Sequence, residues 1–93
     1  MIASFRDTDT ERLWLTGRSR RLPADLWRRA FAKLIAINSA TELQELASPP
    51  GNRLEALRGD RKGQHSIRVS DRYRICFVWR DGHAYNVELV DYH

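Results

Sequence analysis

The chain contains one cysteine and no long apolar run. The single thiol, Cys76, cannot form an internal disulfide, and it lies in the apolar run over residues 75–79. We therefore expect a buried, unreactive thiol in a reducing compartment. No stretch approaches the roughly 18 apolar residues that span a bilayer, and Arg6 and Asp7 precede any signal-peptide core. These absences predict a cytoplasmic protein that does not enter a membrane.

The motifs of metal, nucleotide and covalent chemistry are missing as well. Three histidines, at positions 65, 83 and 93, and the lone cysteine lack the spacing of zinc ligands. There is no phosphate loop, no dinucleotide fingerprint and no serine nucleophile elbow, because the glycines are scattered turn residues. We expect an activity that uses no metal and no cofactor.

Lysine is scarce, although the chain is basic. There are 16 Lys and Arg residues against 12 Asp and Glu, and only Lys33 and Lys62 are lysines. The arginine fork matches phosphate geometry, stacks on bases and keeps its charge at physiological pH, so this bias favours a polyanionic partner. The alternative is an ordinary solvated basic surface, which a net charge of +4 also allows.

The length and composition predict one compact domain over residues 1–93. Hydrophobic residues make up 42% of the chain, which is enough for one modest core. Residues 2–5 have the pattern of a short edge strand. Thr8 or Asp9 is the predicted cap of a first helix that ends at Gly17.

A second and a third helix are expected to follow. Pro23 marks the first turn of the second helix, in which apolar residues recur every three or four positions as far as Ile35. Thr41 is the predicted cap of the short third helix. The polar face of the second helix, which we interpret as solvated rather than bound to RNA, carries Arg28, Arg29 and Lys33.

After Gly51 the hydrophobic pattern changes to a period of two. Four strand-like runs cover residues 53–57, 65–69, 73–79 and 84–90. Their short connections, which include Asp81-Gly82, predict an antiparallel meander. The expected fold is α+β, with two to three N-terminal helices packed on one face of a twisted, mainly antiparallel β-sheet.

The opposite sheet face is the predicted functional surface. Alternation along the strands places Ser66, Arg68 and Arg74 away from the apolar Ile67. Positions 52–80 contain eight Lys or Arg residues and three acidic ones. Charges on neighbouring strands and turns converge in a way that those of one helix face do not. Arginines displayed to solvent on this face suit a phosphate backbone.

RNA can be cleaved without a metal when a 2′-hydroxyl attacks its own phosphate. The step needs a base for the hydroxyl proton, a cation for the phosphorane charge and an acid for the leaving oxygen. The sequence offers Glu55 or Asp91 as base and His93 as acid. Tyr92 or His65 suits base stacking. The candidate cations are Arg58, Arg68 and Arg74. Each residue also has an ordinary alternative, such as a solvated charge or a frayed chain end.

Several segments together resemble one known family. They lie at residues 1–5, 40–43, 52–54, 57–63, 66–69, 73–75 and 90–93. The most specific features are the turn Gly-Asp-Arg-Lys-Gly and the ending Asp-Tyr-His. Over essentially its whole length the chain resembles the HigB toxins of bacterial toxin–antitoxin systems, a branch of the RelE-like superfamily.

This resemblance implies a ribosome-dependent endoribonuclease that cuts mRNA in the decoding site and inhibits translation. It also implies a HigA-like helix-turn-helix antitoxin as partner, through which DNA is contacted only indirectly. By position, the family's active-site C-terminus matches Asp91, Tyr92 and His93. Arg74 matches its phosphate-stabilising arginine, and Arg58 stands where many members have a lysine.

Glu55 departs from the family pattern, because some HigB toxins have histidine at this position. RelE-like toxins that resemble the YoeB branch use a glutamate in the corresponding strand as base, so both carboxylates stay candidates. The predicted catalytic residues are Glu55, Arg74, Asp91 and His93. The predicted RNA-binding residues are Arg58, Arg61, Lys62, Arg68 and Tyr92.

Two other functional classes fit parts of the pattern. A module that binds RNA or the ribosome without cutting, or that acts with its antitoxin as a co-repressor, would use the same basic surface. A DNA-binding regulator fits less well, because no recognition-helix pattern is evident and the most basic region is strand and turn.

Overall fold

The computed structural model describes residues 1–92 and has an α+β architecture, as predicted. Within these residues two α-helices precede a four-stranded antiparallel sheet of order β1-β2-β3-β4. The helices are α1 (Thr8–Thr16) and α2 (Trp27–Ser39), and the strands are β1 (Glu55–Ala56), β2 (His65–Arg68), β3 (Tyr73–Arg80) and β4 (His83–Asp91). Short 3-10 turns cover Ala24–Leu26, Leu43–Ala47, Pro50–Asn52 and Gly59–Arg61.

The first helix is capped one position earlier than expected. The carboxylate of Asp7 accepts a hydrogen bond from the Thr10 backbone nitrogen at 2.7 Å, so the prediction of Thr8 or Asp9 as cap is wrong. Asp9 instead lies inside the helix, where its side chain is bound by the connection that follows. Gly17 ends the helix in the left-handed region at φ 76°, as predicted.

The second helix begins later than predicted, and the third is not an α-helix. Pro23 precedes a 3-10 turn, and regular α-helix starts only at Trp27. Glu42, rather than Thr41, caps the 3-10 helix Leu43–Ala47, because Glu42 and Glu45 form a reciprocal capping box. Thr41 Oγ donates to the same Glu45 carboxylate at 2.7 Å.

The predicted meander is confirmed, with two differences at its edges. β1 is only two residues long, and Arg53, where the predicted run began, adopts a left-handed conformation at φ 46° that extended pairing cannot include. At the other edge, residues 2–5 do not form a full strand. Ile2 and Phe5 make isolated parallel bridges to Ala84 and Val87 of β4.

A bulge in β4 resets which residues face the core. The register shifts between Cys76 and Val78 of β3, and on β4 Asn86 has φ 53°. Strict alternation from Ala84 would turn Asn86 toward the core; the extra residue buries Val87 instead. The bulge therefore determines which side chains of the second half of β4 face away from the helices.

The core lies between the helices and one face of the sheet. Its fully buried large side chains include Leu13, Leu34, Ile37, Ile67, Ile75 and Phe77. Cys76 is also fully buried, and burial raises the pKa of its thiol, which confirms the expected buried thiol. Within residues 1–92, no helix combines the length and the apolar character that crossing a bilayer requires.

Candidate active site

Arg74 is a buried arginine at the centre of the sheet face that the helices leave uncovered. It pairs with Arg68 across the β2–β3 ladder and is only 7% exposed, so the expectation of a solvent-displayed arginine is wrong for this residue. Its Nε donates to Ser66 Oγ at 2.7 Å, and its Nη2 donates to the Arg53 carbonyl at 2.6 Å. These bonds fix the guanidinium in one orientation.

An open cleft of about 370 Å³ lies over this guanidinium. Its lining residues are Arg53, Glu55, Arg68, Ser70, Asp71, Arg74 and Tyr92. Four of the nine predicted site residues are thus brought together by three different strands and the chain that follows β4. Three arginines and two carboxylates line the cleft, which gives it a net positive charge that suits a phosphate.

Glu55 lies at the edge of this cleft, on the short strand β1. Its Oε1 is 3.8 Å from Arg74 Nη2, and its side chain is 54% exposed. Across the β1–β2 ladder Glu55 pairs with Ser66, which also holds Arg74. A carboxylate and a guanidinium therefore lie side by side, and the carboxylate remains accessible to a ligand.

Tyr92 supplies an aromatic wall to the same cleft. The Arg74 Cζ lies 5.8 Å from the centre of the Tyr92 ring, which is a cation–π contact. Tyr92 is 44% exposed, so part of the ring can contact a ligand. Its backbone nitrogen donates to the Arg72 carbonyl at 2.6 Å, which fixes the chain just after β4.

Asp91 is not among the residues that line the cleft. Its carboxylate accepts two bonds from Arg72 Nε, at 2.9 and 3.0 Å, and one from Nη2 at 2.8 Å. This hydrogen bonding raises the pKa of Arg72. Asp91 and Tyr92 are adjacent in an extended segment, so their side chains leave it on opposite sides. The structure therefore brings Glu55, but not Asp91, to the guanidinium of Arg74.

The remaining predicted residues have separate locations. Arg61 donates to Glu88 at 3.0 Å, and the two line a different depression with Arg6. Arg58 and Lys62 are exposed at the two ends of the 3-10 turn Gly59–Arg61, outside the lining of the cleft. The predicted acid, His93, lies outside the described residues.

His65 occupies the face opposite to the cleft. Its ring stacks on Phe77 with centroids 6.5 Å apart, and its Nδ1 has no hydrogen-bond partner among the described residues. Of the two residues considered for base stacking, only Tyr92 therefore lines the cleft.

The sequence patterns did not reveal several residues that line the cleft or hold Arg74 in it. Ser66 was placed on the correct face by alternation, but its bond to Arg74 was not foreseen. Arg53 takes part through its carbonyl oxygen, which no side-chain pattern reveals. Ser70 and Asp71 fall between the predicted strand-like runs 65–69 and 73–79 and were given no role in the site, although they line the cleft.

Comparison with known proteins agrees with this architecture. A sequence model of RelE-like toxins of the type II toxin–antitoxin system HigB matches residues 3–93. The chain belongs to the HigB-like toxin family. Toxin HigB-1 of Vibrio cholerae serotype O1 is 39% identical over 90 residues, which cover 96% of this chain and 95% of that protein. Endoribonuclease HigB of Proteus vulgaris is 38% identical over 93 residues, covering 100% of both chains.

These matches confirm the resemblance inferred from the sequence motifs. HigB-like toxins are toxins of type II systems, so this chain has an antitoxin as partner. The family membership also agrees with the α+β fold, in which helices cover one sheet face and leave the Arg74 cleft on the other.

Proposed function

We propose that this HigB-like toxin is a ribosome-dependent, metal-independent mRNA endoribonuclease whose reaction takes place in the Arg74 cleft. The endoribonuclease class agrees with the family and with the name of the Proteus vulgaris relative. The observation that supports the Arg74 cleft as the reaction site is the fixed guanidinium of Arg74, which has the accessible carboxylate of Glu55 3.8 Å away. The proposed partners of the toxin are mRNA in the ribosomal decoding site and a HigA-like helix-turn-helix antitoxin. The proposed location is the cytoplasm, where these partners occur.

Arg74 is proposed to stabilise the charge of the transition state. Its hydrogen bonds to described residues use Nε and Nη2, which leaves Nη1 for a phosphate oxygen. Because the guanidinium is already oriented, it needs no reorganisation when the phosphorane forms. Arg68, on the neighbouring strand, lines the same cleft and can contact a second phosphate oxygen.

Glu55 is proposed as the general base, in preference to Asp91. The base takes the proton of the 2′-hydroxyl, whose oxygen then attacks the adjacent phosphorus. Glu55 lines the cleft beside Arg74, whereas Asp91 is held by Arg72. Geometry is the first requirement of a general base, and the place of Glu55 in the lining of the cleft supports its assignment over Asp91.

The reaction ends when the bond from phosphorus to the 5′-oxygen breaks. The leaving oxygen takes up a proton, for which His93 is proposed as the acid because an imidazole titrates near neutral pH. The products are a 2′,3′-cyclic phosphate on one fragment and a 5′-hydroxyl on the other. Tyr92 is proposed to stack on a base next to the cut, which orients flexible RNA.

The test is cleavage of mRNA on purified translating ribosomes, with and without a single 2′-deoxy nucleotide at the cut position. We expect cleavage only of the all-ribose message, with 2′,3′-cyclic phosphate and 5′-hydroxyl ends. Cleavage of the deoxy message at the same position would contradict attack by the 2′-hydroxyl. Inhibited translation without any cut would favour the non-cleaving binding module instead.

The proposed dependence on the ribosome has a physical reason. The cleft is open to solvent and lined by seven residues, so an isolated small protein supplies few contacts to hold a flexible RNA in line for attack. Orientation of the RNA by the ribosome can account for a large part of the rate enhancement. We expect naked RNA of the same sequence to be cut far more slowly than the ribosome-bound message.

A further inference from the structure

A second basic cleft lies beside the first, between α2 and the turn that joins β2 to β3. Its volume is about 380 Å³, and its lining residues are Arg29, Lys33, Gly51, Arg68, Val69, Ser70 and Asp71. Three cations and one carboxylate line it, so its net charge is positive. Arg68, Ser70 and Asp71 line both clefts and form their common wall.

Two of the three cations on α2, Arg29 and Lys33, are not purely solvated, which corrects the interpretation made from the sequence. Arg29 Nη1 donates to the Val69 carbonyl at 3.3 Å, which draws its guanidinium toward the end of β2. Lys33 Nζ donates to the side chain of Asn52. Asn52 is only 1% exposed and donates in turn to the Leu46 carbonyl at 3.1 Å. Both cations are therefore held at the cleft by fixed, neutral acceptors.

The common wall contains an exposed acidic residue bound to a cation. Arg68 Nη2 forms an ion pair with Asp71, whose side chain is 97% exposed. An ion pair this exposed has little stability in water, so a stronger anion can displace the carboxylate from Arg68. An RNA strand that runs from one cleft to the other would cross this wall and bring a phosphate diester into contact with Arg68.

We infer that the α2 cleft binds the backbone phosphate of a nucleotide adjacent to the one that is cut, on the same RNA strand. The inference rests on the proposed function of the Arg74 cleft and extends its substrate site. Phosphate diesters are the ligand class that matches arginine and lysine groups anchored to neutral acceptors in an open groove. Asp71 acts as a competitor that the strand displaces from Arg68.

The experiment measures binding of fully 2′-O-methylated RNA, which has no nucleophile for cleavage. A labelled octanucleotide and a dinucleotide are titrated with the full-length wild type, Arg29→Ala, Lys33→Met and the matched control Arg28→Ala. Arg28 is exposed on the same helix and outside the lining of both clefts. Thermal denaturation checks that each variant folds, and Arg29→Ala remains informative if removing the bond to Asn52 destabilises Lys33→Met.

We expect the Arg29 and Lys33 variants to bind the octanucleotide about three- to tenfold more weakly than wild type. The plot of log K against log salt has a negative slope, and its magnitude should decrease by about 0.7 for each phosphate that the variant no longer neutralises. Dinucleotide affinity and the Arg28→Ala control should stay at the wild-type value. Asp71→Asn should bind the octanucleotide about two- to fivefold more tightly, because Arg68 then has no competing carboxylate.

Octanucleotide binding by Arg29→Ala and Lys33→Met at the level of Arg28→Ala would overturn the inference. An equal loss of dinucleotide and octanucleotide affinity would overturn it as well, because the α2 cleft would then not bind a further phosphate of the same strand. Because this readout needs no cleavage, it is separate from the proposed function. A wild type that cuts mRNA while these variants bind normally refutes the inference alone.

Discussion

Arg74 is a buried cation whose hydrogen bonds are made mainly to neutral groups. Ser66 and the Arg53 carbonyl accept hydrogen bonds from its N–H groups at 2.7 and 2.6 Å, while the nearest carboxylate oxygen within residues 1–92, that of Glu55, is 3.8 Å away. A buried charge needs polar partners, and neutral acceptors supply them without cancelling the charge. The positive charge therefore remains directed at the cleft, where a phosphate would bind.

At the residue scale, the choice between the two candidate bases can be decided by substitution. We predict that Glu55→Gln lowers the cleavage rate on ribosome-bound mRNA by about 100-fold or more, because the base is removed while the shape is kept. Asp91→Asn should lower it less than about fivefold, because the Asp91 carboxylate does not line the cleft in which the base has to act. Single-turnover cleavage rates provide the measurement. A larger loss for Asp91→Asn than for Glu55→Gln would assign the base to Asp91.

Asp9 stabilises the connection between the two helices through its charged form. Burial acts to raise its pKa, but the hydrogen bond from Ser19 Oγ at 2.5 Å and those from the Arg20 and Arg21 backbone outweigh this, so the pKa is lowered. A carboxyl group with a lowered pKa in the folded state contributes stability above its unfolded pKa. That contribution is lost as the pH falls through the folded value.

We therefore predict that Asp9→Asn lowers the free energy of unfolding by about 1 to 3 kcal/mol at neutral pH. The difference from wild type should shrink below about pH 4, where the unfolded carboxyl is already protonated. Urea denaturation at neutral and acidic pH measures both effects, with the exposed Asp25→Asn as control. A difference that stays constant down to about pH 2 would contradict the role of the charge.

At the element scale, the bulge in β4 gives its two halves different alternation. Ala84 and Val87 both belong to the core cluster although they are three residues apart, whereas residues at that spacing in a regular strand face opposite sides of the sheet. After the bulge, Val87 and Leu89 face the core, and Tyr92 lies in the register that reaches the Arg74 cleft. A single extra residue thus couples core packing to the aromatic wall of the site.

We predict that Asn86→Val destabilises the fold by about 1 to 2 kcal/mol, because a β-branched residue is strained at φ 53°. Asn86→Gly should be close to wild type, because glycine adopts positive φ without strain. Thermal or urea denaturation compares the two at this exposed position. Equal stability of both variants would show that the backbone at Asn86 is not constrained.

Secondary structure was predictable where local signals act alone. The period of two and the Asp81-Gly82 turn predicted β3 and β4 almost to their ends, and Gly17 ended α1 as expected. Helix starts were misplaced because several residue types can cap a helix and only the folded contacts select one, such as Asp7 for α1 or the reciprocal pair Glu42 and Glu45 for the 3-10 helix. The bulge was not predictable, because the burial of Val87 depends on packing against the rest of the core.

In the candidate site, too, local patterns were predictable from the sequence, whereas contacts between distant segments were not. Alternation placed Ser66, Arg68 and Arg74 on one face, and the ladder between β2 and β3 does so too. The Arg53 carbonyl could not be predicted, because its contact depends on a left-handed backbone conformation. The contribution of α2 was missed for a related reason. Whether Lys33 is solvated or anchored depends on Asn52, which lies 19 positions away in sequence.

At the scale of the whole molecule, the two faces of the sheet differ: one packs against the helices, and the other carries the Arg74 cleft. Helices α1 and α2 cover the face that carries Ile67, Ile75 and Phe77. The other face presents the Arg74 cleft, and the β2–β3 turn continues this basic surface toward α2. One side of the molecule therefore supplies stability, and the adjoining basic surface is proposed to bind and cut an RNA strand.

The most direct test of this account is a map of mRNA 5′ ends in cells after induction of wild type and Arg74→Ala, with Arg28→Ala as control. We predict new 5′-hydroxyl ends within coding regions for wild type and Arg28→Ala. For Arg74→Ala, whose folding is checked by thermal denaturation, these ends should fall at least about 100-fold. Equal cleavage by a folded Arg74→Ala variant, or growth arrest by wild type without any new ends, would contradict cleavage of mRNA in the Arg74 cleft.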